Sequence, residues 1–267
     1  MLQRLLLITL LAALCLPACR NSSPGQEEAA DREPATSEIL QGKWLRMTQM
    51  GPVSMTFTDS ATVQADMGDD GAIDVVSRVA FHNDTVTFSD LSGPACPDAG
   101  TYKVYTGRHY VSFDPVSDTC NGRVKMTMGF WVRPGFESVL TALNDSLEVT
   151  GDPQLRLERA RIYMATGMPG KARGDLDLYL QHDSGNARVY INRAGTRFPA
   201  DMDGVIDDCN RAVSLDPDNK NAYFLRGLAL YEKGEKQAAC ADFQQAIELG
   251  FAVLRTAESE RCKDFWE

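Results

Sequence analysis

Lys220–Leu249 reads KNAYFLRGLALYEKGEKQAACADFQQAIEL, and this stretch decides the fold of the second half of the chain. Apolar and small residues recur through it at helical spacing on both sides of a turn, so it forms a pair of helices. Working outward, small residues fall at Ala160, Ala194 and Gly227, 34 and then 33 positions apart, and the pattern closes again at Ala172, Val205 and Ala239. Self-similarity at such a period marks a stack of helix pairs, because one pair cannot bury its apolar face alone.

The copy that carries Tyr223, Gly227, Ala239, Phe243 and Ala246 resembles the tetratricopeptide consensus. Three units are expected over 153–184, 187–215 and 220–249, followed by a capping helix over 252–265, so that the repeat region spans 153–267. A connecting helix precedes it within 135–152. Asp216-Pro217-Asp218-Asn219 supplies the turn before the last unit. The middle unit lacks one residue and carries Pro199, which ends its first helix early.

The resemblance implies protein binding through an inner groove. Its lining would be Gln154, Leu157, Arg161 and Met164, then Arg188, Ile191 and Phe198, then Asn221, Phe224, Leu228 and Tyr231. The central positions Leu157, Ile191 and Phe224 are all apolar, and the basic and amide set with which family members clamp a terminal carboxylate is missing. The expected partner is therefore an envelope protein or peptide with hydrophobic anchors. The alternative is that the connecting helix fills the groove, or that the groove docks on the preceding domain.

The N-terminus sets the compartment. Arg4 precedes an apolar run from Leu5 to Leu16 that is short for a membrane span, and small residues follow, as in an export signal over 1–18. Leu16-Pro17-Ala18-Cys19 resembles the lipobox of bacterial lipoproteins, with Pro17 less usual than a small residue there. That resemblance implies lipidation of Cys19 by acyl chains such as palmitate, each buried methylene contributing ~0.8 kcal/mol to anchoring. An ordinary secretory signal cut nearby is the alternative. Residues 19–39 lack an apolar period and are rich in Pro, Ser and acidic residues, which makes a flexible tether. The location expected is the cell envelope, anchored to a membrane by lipid, most simply the outer membrane on its periplasmic or surface face.

From 40 to 134 the period switches to two. Strands are expected at 43–49, 53–58, 61–66, 73–81, 84–89, 101–106, 109–114 and 123–132. Their sequence order predicts an up-and-down antiparallel barrel or a related sandwich. Gly42-Lys43-Trp44 on the first strand and Asp118-Thr119-Cys120-Asn121-Gly122-Arg123 before Trp131-Val132-Arg133 resemble the lipocalin-like domains of exported bacterial proteins. The resemblance implies an arginine, Arg133 or Arg123, covering Trp44. The fold class is thus α+β multidomain: an eight-stranded lipocalin-like β-barrel, then an all-α repeat solenoid. Trp44, Phe57, Phe81, Phe88 and Phe113 either pack as barrel core or line a pocket for a small apolar ligand.

Composition narrows the function classes. The chain has 267 residues, enough for two domains at ~150 residues each, with 43% hydrophobic and 24% charged residues. A net charge of −10 argues against nucleic acid as a partner. Export permits disulfides. Cys96 with Cys120 flank a strand pair, and Cys240 with Cys262 join the last repeat to the capping helix, leaving Cys209 as a buried thiol. Catalytic patterns are thin: His82, His109 and His182 are scattered, and no Gly-x-Ser-x-Gly occurs. The acidic groups Asp66, Asp69, Asp70, Asp74 and Asp201, Asp203, Asp207, Asp208 read as solvated turns, and Gly167–Lys171 is too short to cradle phosphate. No cofactor, no metal and no enzymatic activity are expected. The function expected is a lipid-anchored protein–protein interaction scaffold, with a carrier or sensor of a small apolar ligand, docked by its repeats, as the alternative.

Overall fold

The computed structural model of the chain describes residues 37–48, 50–59, 61–93, 96–251 and 261–265. The export signal, Cys19 and the tether up to residue 36 lie outside the described residues, as does most of the expected capping helix. A short helix α1 (Ser37–Leu40) leads into strands β1 (Gly42–Thr48), β2 (Gly51–Phe57), β3 (Thr62–Met67), β4 (Val75–His82), β5 (Thr85–Ser92), β6 (Gly100–Thr106), β7 (Tyr110–Ser117) and β8 (Gly129–Val132). Each strand pairs antiparallel with the next, and β1 closes on β8 through Leu45 and Val132. Closure removes the sheet edges that would otherwise invite pairing with other chains.

Local sequence explains the strands. In β6, residues Gly100, Tyr102, Val104 and Thr106 are buried and those between them are half-buried, the period-two signature of a sheet with one face inward. Between β4 and β5, His82 pairs with Thr85 and Asn83 takes a positive φ of 52°, the left-handed conformation that a tight hairpin turn needs. Inside, Phe57, Phe88 and Phe113 are buried almost completely, with centroid separations of 6.5 Å for Phe57–Phe88 and 6.1 Å for Phe88–Phe113. At the end of the barrel that α1 closes, Trp44 Nε1 donates to the Leu40 carbonyl at 2.9 Å. The Arg133 guanidinium lies 3.8 Å from the Trp44 ring and donates to the carbonyls of Gln41 and Ile39. Of the two arginines considered for this role, Arg133 fills it.

The last strand is shorter than expected. Residues 121–127 form a helix, α2 (Asn121–Thr127), and only Gly129–Val132 is strand. The alternation Val124, Met126, Met128, Phe130 imitates a strand, but Arg123, Val124 and Thr127 are the buried positions, one side of a two-turn helix. Packing of that side over the barrel overrides the local pattern.

The second half is helical: α3 (Phe136–Thr150), then the pairs α4 (Pro153–Ala165) and α5 (Pro169–His182), α6 (Ala187–Arg197) and α7 (Met202–Leu215), α8 (Lys220–Glu232) and α9 (Lys236–Glu248). The first helix of each pair starts at a side-chain cap: Asp152 accepts from Gln154 N, Asn186 from Arg188 N and Asn219 from Ala222 N. α6 stops at Arg197, two residues before Pro199. The small residue at the repeat position has a steric cause in the third unit, where a Cβ on Gly227 would come within 2.7 Å of the Phe243 ring. No described helix is long and apolar enough to cross a membrane.

Both cysteine pairs are disulfides, Cys96–Cys120 and Cys240–Cys262, with Cα separations of 5.9 and 5.5 Å, and Cys209 is a buried thiol. Two acidic residues expected to be solvated are in fact buried. Asp66 accepts the backbone N–H groups of Asp70 and Gly71 and so organises the β3–β4 turn, and Asp208 is an internal ion-pair partner. Backbone donors and an arginine satisfy these carboxylates, which is what makes their burial tolerable.

Candidate functional site

The inner face of the repeats is formed by α4, α6 and α8, and the barrel sits against it. β7 shows this most directly: Tyr110, Val111, Ser112 and Phe113 are all buried, so both faces of that strand are covered. One face looks into the barrel and the other meets the repeats. An apolar seam of Tyr110, Val132, Leu143, Ile162 and Ala165 joins barrel, α3 and α4.

Three cations continue the seam along the stack. Arg161 is buried, and its Nη1 donates to the Tyr110 hydroxyl at 2.6 Å. Arg188 Nη2 donates to Asp114 Oδ2 at 3.0 Å, with its guanidinium 4.0 Å from the Tyr105 ring. Lys220 Nζ donates to the Pro115 carbonyl at 2.5 Å. Burial pulls the Lys220 ammonium below its ordinary pKa, against the pull of nearby Asp114. Lys220 was not among the residues expected here. It is the first residue of α8, next to the expected Asn221, and a cation heading that helix was the signal in the sequence.

The remaining groove positions meet other parts of the chain. Leu157, Met164 and Ile191 belong to the apolar core between the first and second units. Phe198 packs with Ala194, Val205 and Cys209. Phe224 stacks on Phe251 at 4.7 Å, just past the end of α9. Leu228 and Tyr231 are half-buried, and the Tyr231 ring has the Arg261 guanidinium at 5.3 Å. Asn221 is half-buried, and its Oδ1 has no hydrogen-bond partner among the described residues. The face is thus engaged by β6, β7 and Phe251 of the same chain at the positions of Arg161, Arg188 and Phe224.

Behind the inner face runs a polar ladder that apolar periodicity does not disclose. Arg159 pairs with Asp175, Arg193 with Asp208 and Arg226 with Asp242, in each case from the first helix of a unit to its second. Each arginine also reaches the preceding layer, at Asn144, Asp177 and Asn210 respectively. Hydrogen bonds donated to Asp175 and Asp242 hold Arg159 and Arg226 ionised beyond the ordinary arginine range, and for Arg193 burial is the largest single influence but Asp208 and Asp177 together outweigh it. The arginines repeat at the same 34 and 33 spacing as Ala160, Ala194 and Gly227, so the ladder was present in the sequence to be read.

In the barrel, the expected pocket residues Trp44, Phe57 and Phe113 form packed core, and Phe81 is half-buried against Phe57. Phe88 alone of the five lines an actual cavity, of about 210 Å³, at the opposite end beneath α2. A charge cluster bounds it. Arg123 donates to both oxygens of Asp118, at 2.7 Å from Nε and 2.9 Å from Nη2, and its Nη1 lies 3.3 Å from Asp90 Oδ2. The Tyr102 hydroxyl donates to Asp118, and burial followed by that carboxylate pushes the phenol well above its ordinary pKa. A Cβ on Gly100 would fall 1.9 Å from Asp118 Oδ2, so only glycine allows the aspartate its place.

Residues 221–249 match the family model described as a tetratricopeptide repeat. No curated protein matches the chain. Among solved structures, it is similar to the crystal structure of MamA, at 22% identity over 49% of this chain and 81% of that one, with a TM-score of 0.44. It is similar to the Arabidopsis OM64 TPR domain at 24% identity over 42% and 95%, TM-score 0.40. It is also similar to the first TPR of Spaghetti (RPAP3) bound to the HSP90 peptide SRMEEVD, at 24% identity over 43% and 93%, TM-score 0.39. The chain therefore joins a closed eight-stranded antiparallel barrel to a C-terminal half that carries tetratricopeptide repeat structure.

Proposed function

We propose that this protein is a non-catalytic scaffold of the bacterial cell envelope, lipid-anchored through Cys19, whose repeats hold a protein or peptide partner. The observation that carries the reading is the inner face itself. Arg161, Arg188 and Lys220, one from each unit, already grip a run of polypeptide, Tyr110 to Pro115, through side-chain and carbonyl contacts. A stacked-helix surface holds a partner by the same means. Leu228 and Tyr231, half-buried on the helix that Lys220 heads, belong to the same face in the third unit.

Photocrosslinking in the host tests it, with a reactive residue at Leu228 or Tyr231 compared with one at Asp207 or Gln244. A discrete protein adduct from the first two positions alone supports the scaffold, and identical patterns from all four sink it. The anchor has its own test: Cys19→Ser moves the protein out of the membrane fraction, and unchanged fractionation refutes lipidation. A second reading, a small-molecule carrier docked through its repeats, is favoured by the cavity beneath α2. A bound host molecule in native mass spectra of the full chain is its direct sign.

A further inference from the structure

We infer that the cavity beneath α2 is a binding site for a small neutral molecule with an apolar body and one hydrogen-bond acceptor, the acceptor directed at Arg123 Nη1. This rests on the carrier reading and supplies its ligand class. At about 210 Å³ the cavity exceeds the ~150 Å³ void that takes up benzene and falls below the ~300 Å³ where drug-sized pockets begin. A molecule of about ten non-hydrogen atoms fits, and a long acyl chain does not. Phe57 and Phe113 are packed core, so the space does not continue down the barrel.

The lining sets the chemistry. Met55, Met67 and Met126 contribute adaptable thioethers, and Phe88 and Trp131 contribute aromatic surface. Arg123 also lines the space, its side chain only 7% exposed. Its Nε and Nη2 are satisfied by Asp118 and the Asp98 carbonyl, whereas Nη1 is buried with no hydrogen bond among the described residues and meets only the charge of Asp90, Oδ2 lying 3.3 Å away. An ion pair without a hydrogen bond leaves the buried donor only partly compensated, and a ligand acceptor would complete it.

Charge balance then selects a neutral ligand. Asp90 and Asp118 face Arg123, and Arg46, 6.0 Å from the Trp131 ring, donates to the carbonyls of Met126 and Met128. Two carboxylates against two guanidiniums leave no surplus, so an anion would be buried uncompensated. Access is provided at the same end. The β1–β2, β3–β4 and β5–β6 connections all lie there, and Met67 and Gly122, which line the cavity, are exposed. The Cys96–Cys120 disulfide fastens α2 over the space, and both cysteines line it.

Three molecules of nearly one shape test the assignment on the full chain purified in detergent: acetophenone, benzoate and ethylbenzene. Methyl-labelled methionine spectra report the location through Met55, Met67 and Met126. Acetophenone is expected to bind at least about ten-fold more tightly than ethylbenzene, the value of a hydrogen bond to a charged donor, and more tightly than benzoate. Ala65→Leu, which fills the cavity without touching the charge cluster, should abolish binding, and Arg123→Lys should erase the preference over ethylbenzene. Should Arg123→Lys fail to fold, the ligand series and Ala65→Leu still decide. Equal affinity for ethylbenzene overturns the acceptor, and benzoate binding as tightly as acetophenone overturns neutrality. If the three methionine signals stay unmoved while native spectra show a carried host molecule, the site assignment falls and the carrier reading stands. If both are negative, both fall.

Discussion

The barrel and the repeats both bury arginine–aspartate pairs, but they distribute them in opposite ways. The repeats place one pair in every layer, at Arg159, Arg193 and Arg226, each linked to the layer before. The barrel gathers its pairs at one end, where the single cation Arg123 pairs with both Asp118 and Asp90, and Asp118 also accepts from Tyr102. In a solenoid, stability is close to a sum of neighbouring layers, so polar satisfaction must be supplied layer by layer. A closed barrel has a continuous apolar interior and can confine its polar groups to the mouth.

The contrast predicts unequal damage. Arg123→Ala removes the cation that two buried carboxylates share, leaving them only neutral donors, and should destabilise the barrel by about 3–5 kcal/mol. Denaturant melts followed by near-ultraviolet signals should show it. Arg226→Ala removes one rung of a ladder whose arginine is 19% exposed, so water compensates part of the loss, and about 2–3 kcal/mol is expected, confined to the repeats. Equal losses from the two variants would break the comparison, since they would mean that the barrel mouth is no more interdependent than a single layer.

The same contrast governs what could be read from the sequence. The repeat register was legible because every layer restates it, in Ala160, Ala194 and Gly227, and because Gly227 has a steric reason to be small against Phe243. Seven of the eight strands fall within a few residues of their expected places, since one face of each is buried and alternation survives. The α2 segment was not legible: seven residues are too few to show a 3.6-residue period, and its Val124-Lys125-Met126 alternation points to strand. Nor was the cavity, because it depends on α2 lying over the barrel rather than extending it. The inner face was legible in part. Leu157, expected to line the groove, instead packs in the core between the first two units, and Arg161 and Arg188 meet the barrel, contacts that stacking and docking set and no local pattern encodes.

Alkaline pH sharpens the comparison, because each half holds a buried weak acid whose pKa is raised well above its ordinary value. Burial, followed by the Asp208 charge, pushes the Cys209 thiol up to about 12 from an ordinary 9.0, and the Tyr102 phenol in the barrel is raised as well. The unfolded chain therefore releases these protons first. The stability each contributes is complete below its ordinary pKa and is lost as pH rises toward its folded value. For Cys209 the window opens near pH 9, and on the order of 1 kcal/mol should be gone by pH 10. Cys209→Ala should flatten that decline in the repeats, and Tyr102→Phe should flatten the barrel's decline, which begins about one pH unit higher. If neither substitution changes the alkaline slope, these groups are not what links stability to pH.

The smallest expected effect bears on the two halves as one object. Arg188 and Asp114 join repeat to barrel with both side chains about one-quarter exposed, so solvent screens the pair and a coupling of about 0.5–1 kcal/mol is expected. A double-mutant cycle of Arg188→Ala and Asp114→Ala isolates it, provided the stacking of the guanidinium on the Tyr105 ring is measured separately through Tyr105→Leu. The sign matters more than the size. A favourable coupling means that the barrel helps fix the curvature of the inner face, and a partner bound there meets a preformed surface. A zero coupling would assign the docking to the apolar seam of Tyr110, Val132 and Ile162 and to the Lys220–Pro115 contact, leaving the second unit to open around a partner while the first and third stay fixed. Salt separates the two outcomes independently, since an ion-pair contribution fades with ionic strength and the apolar seam does not.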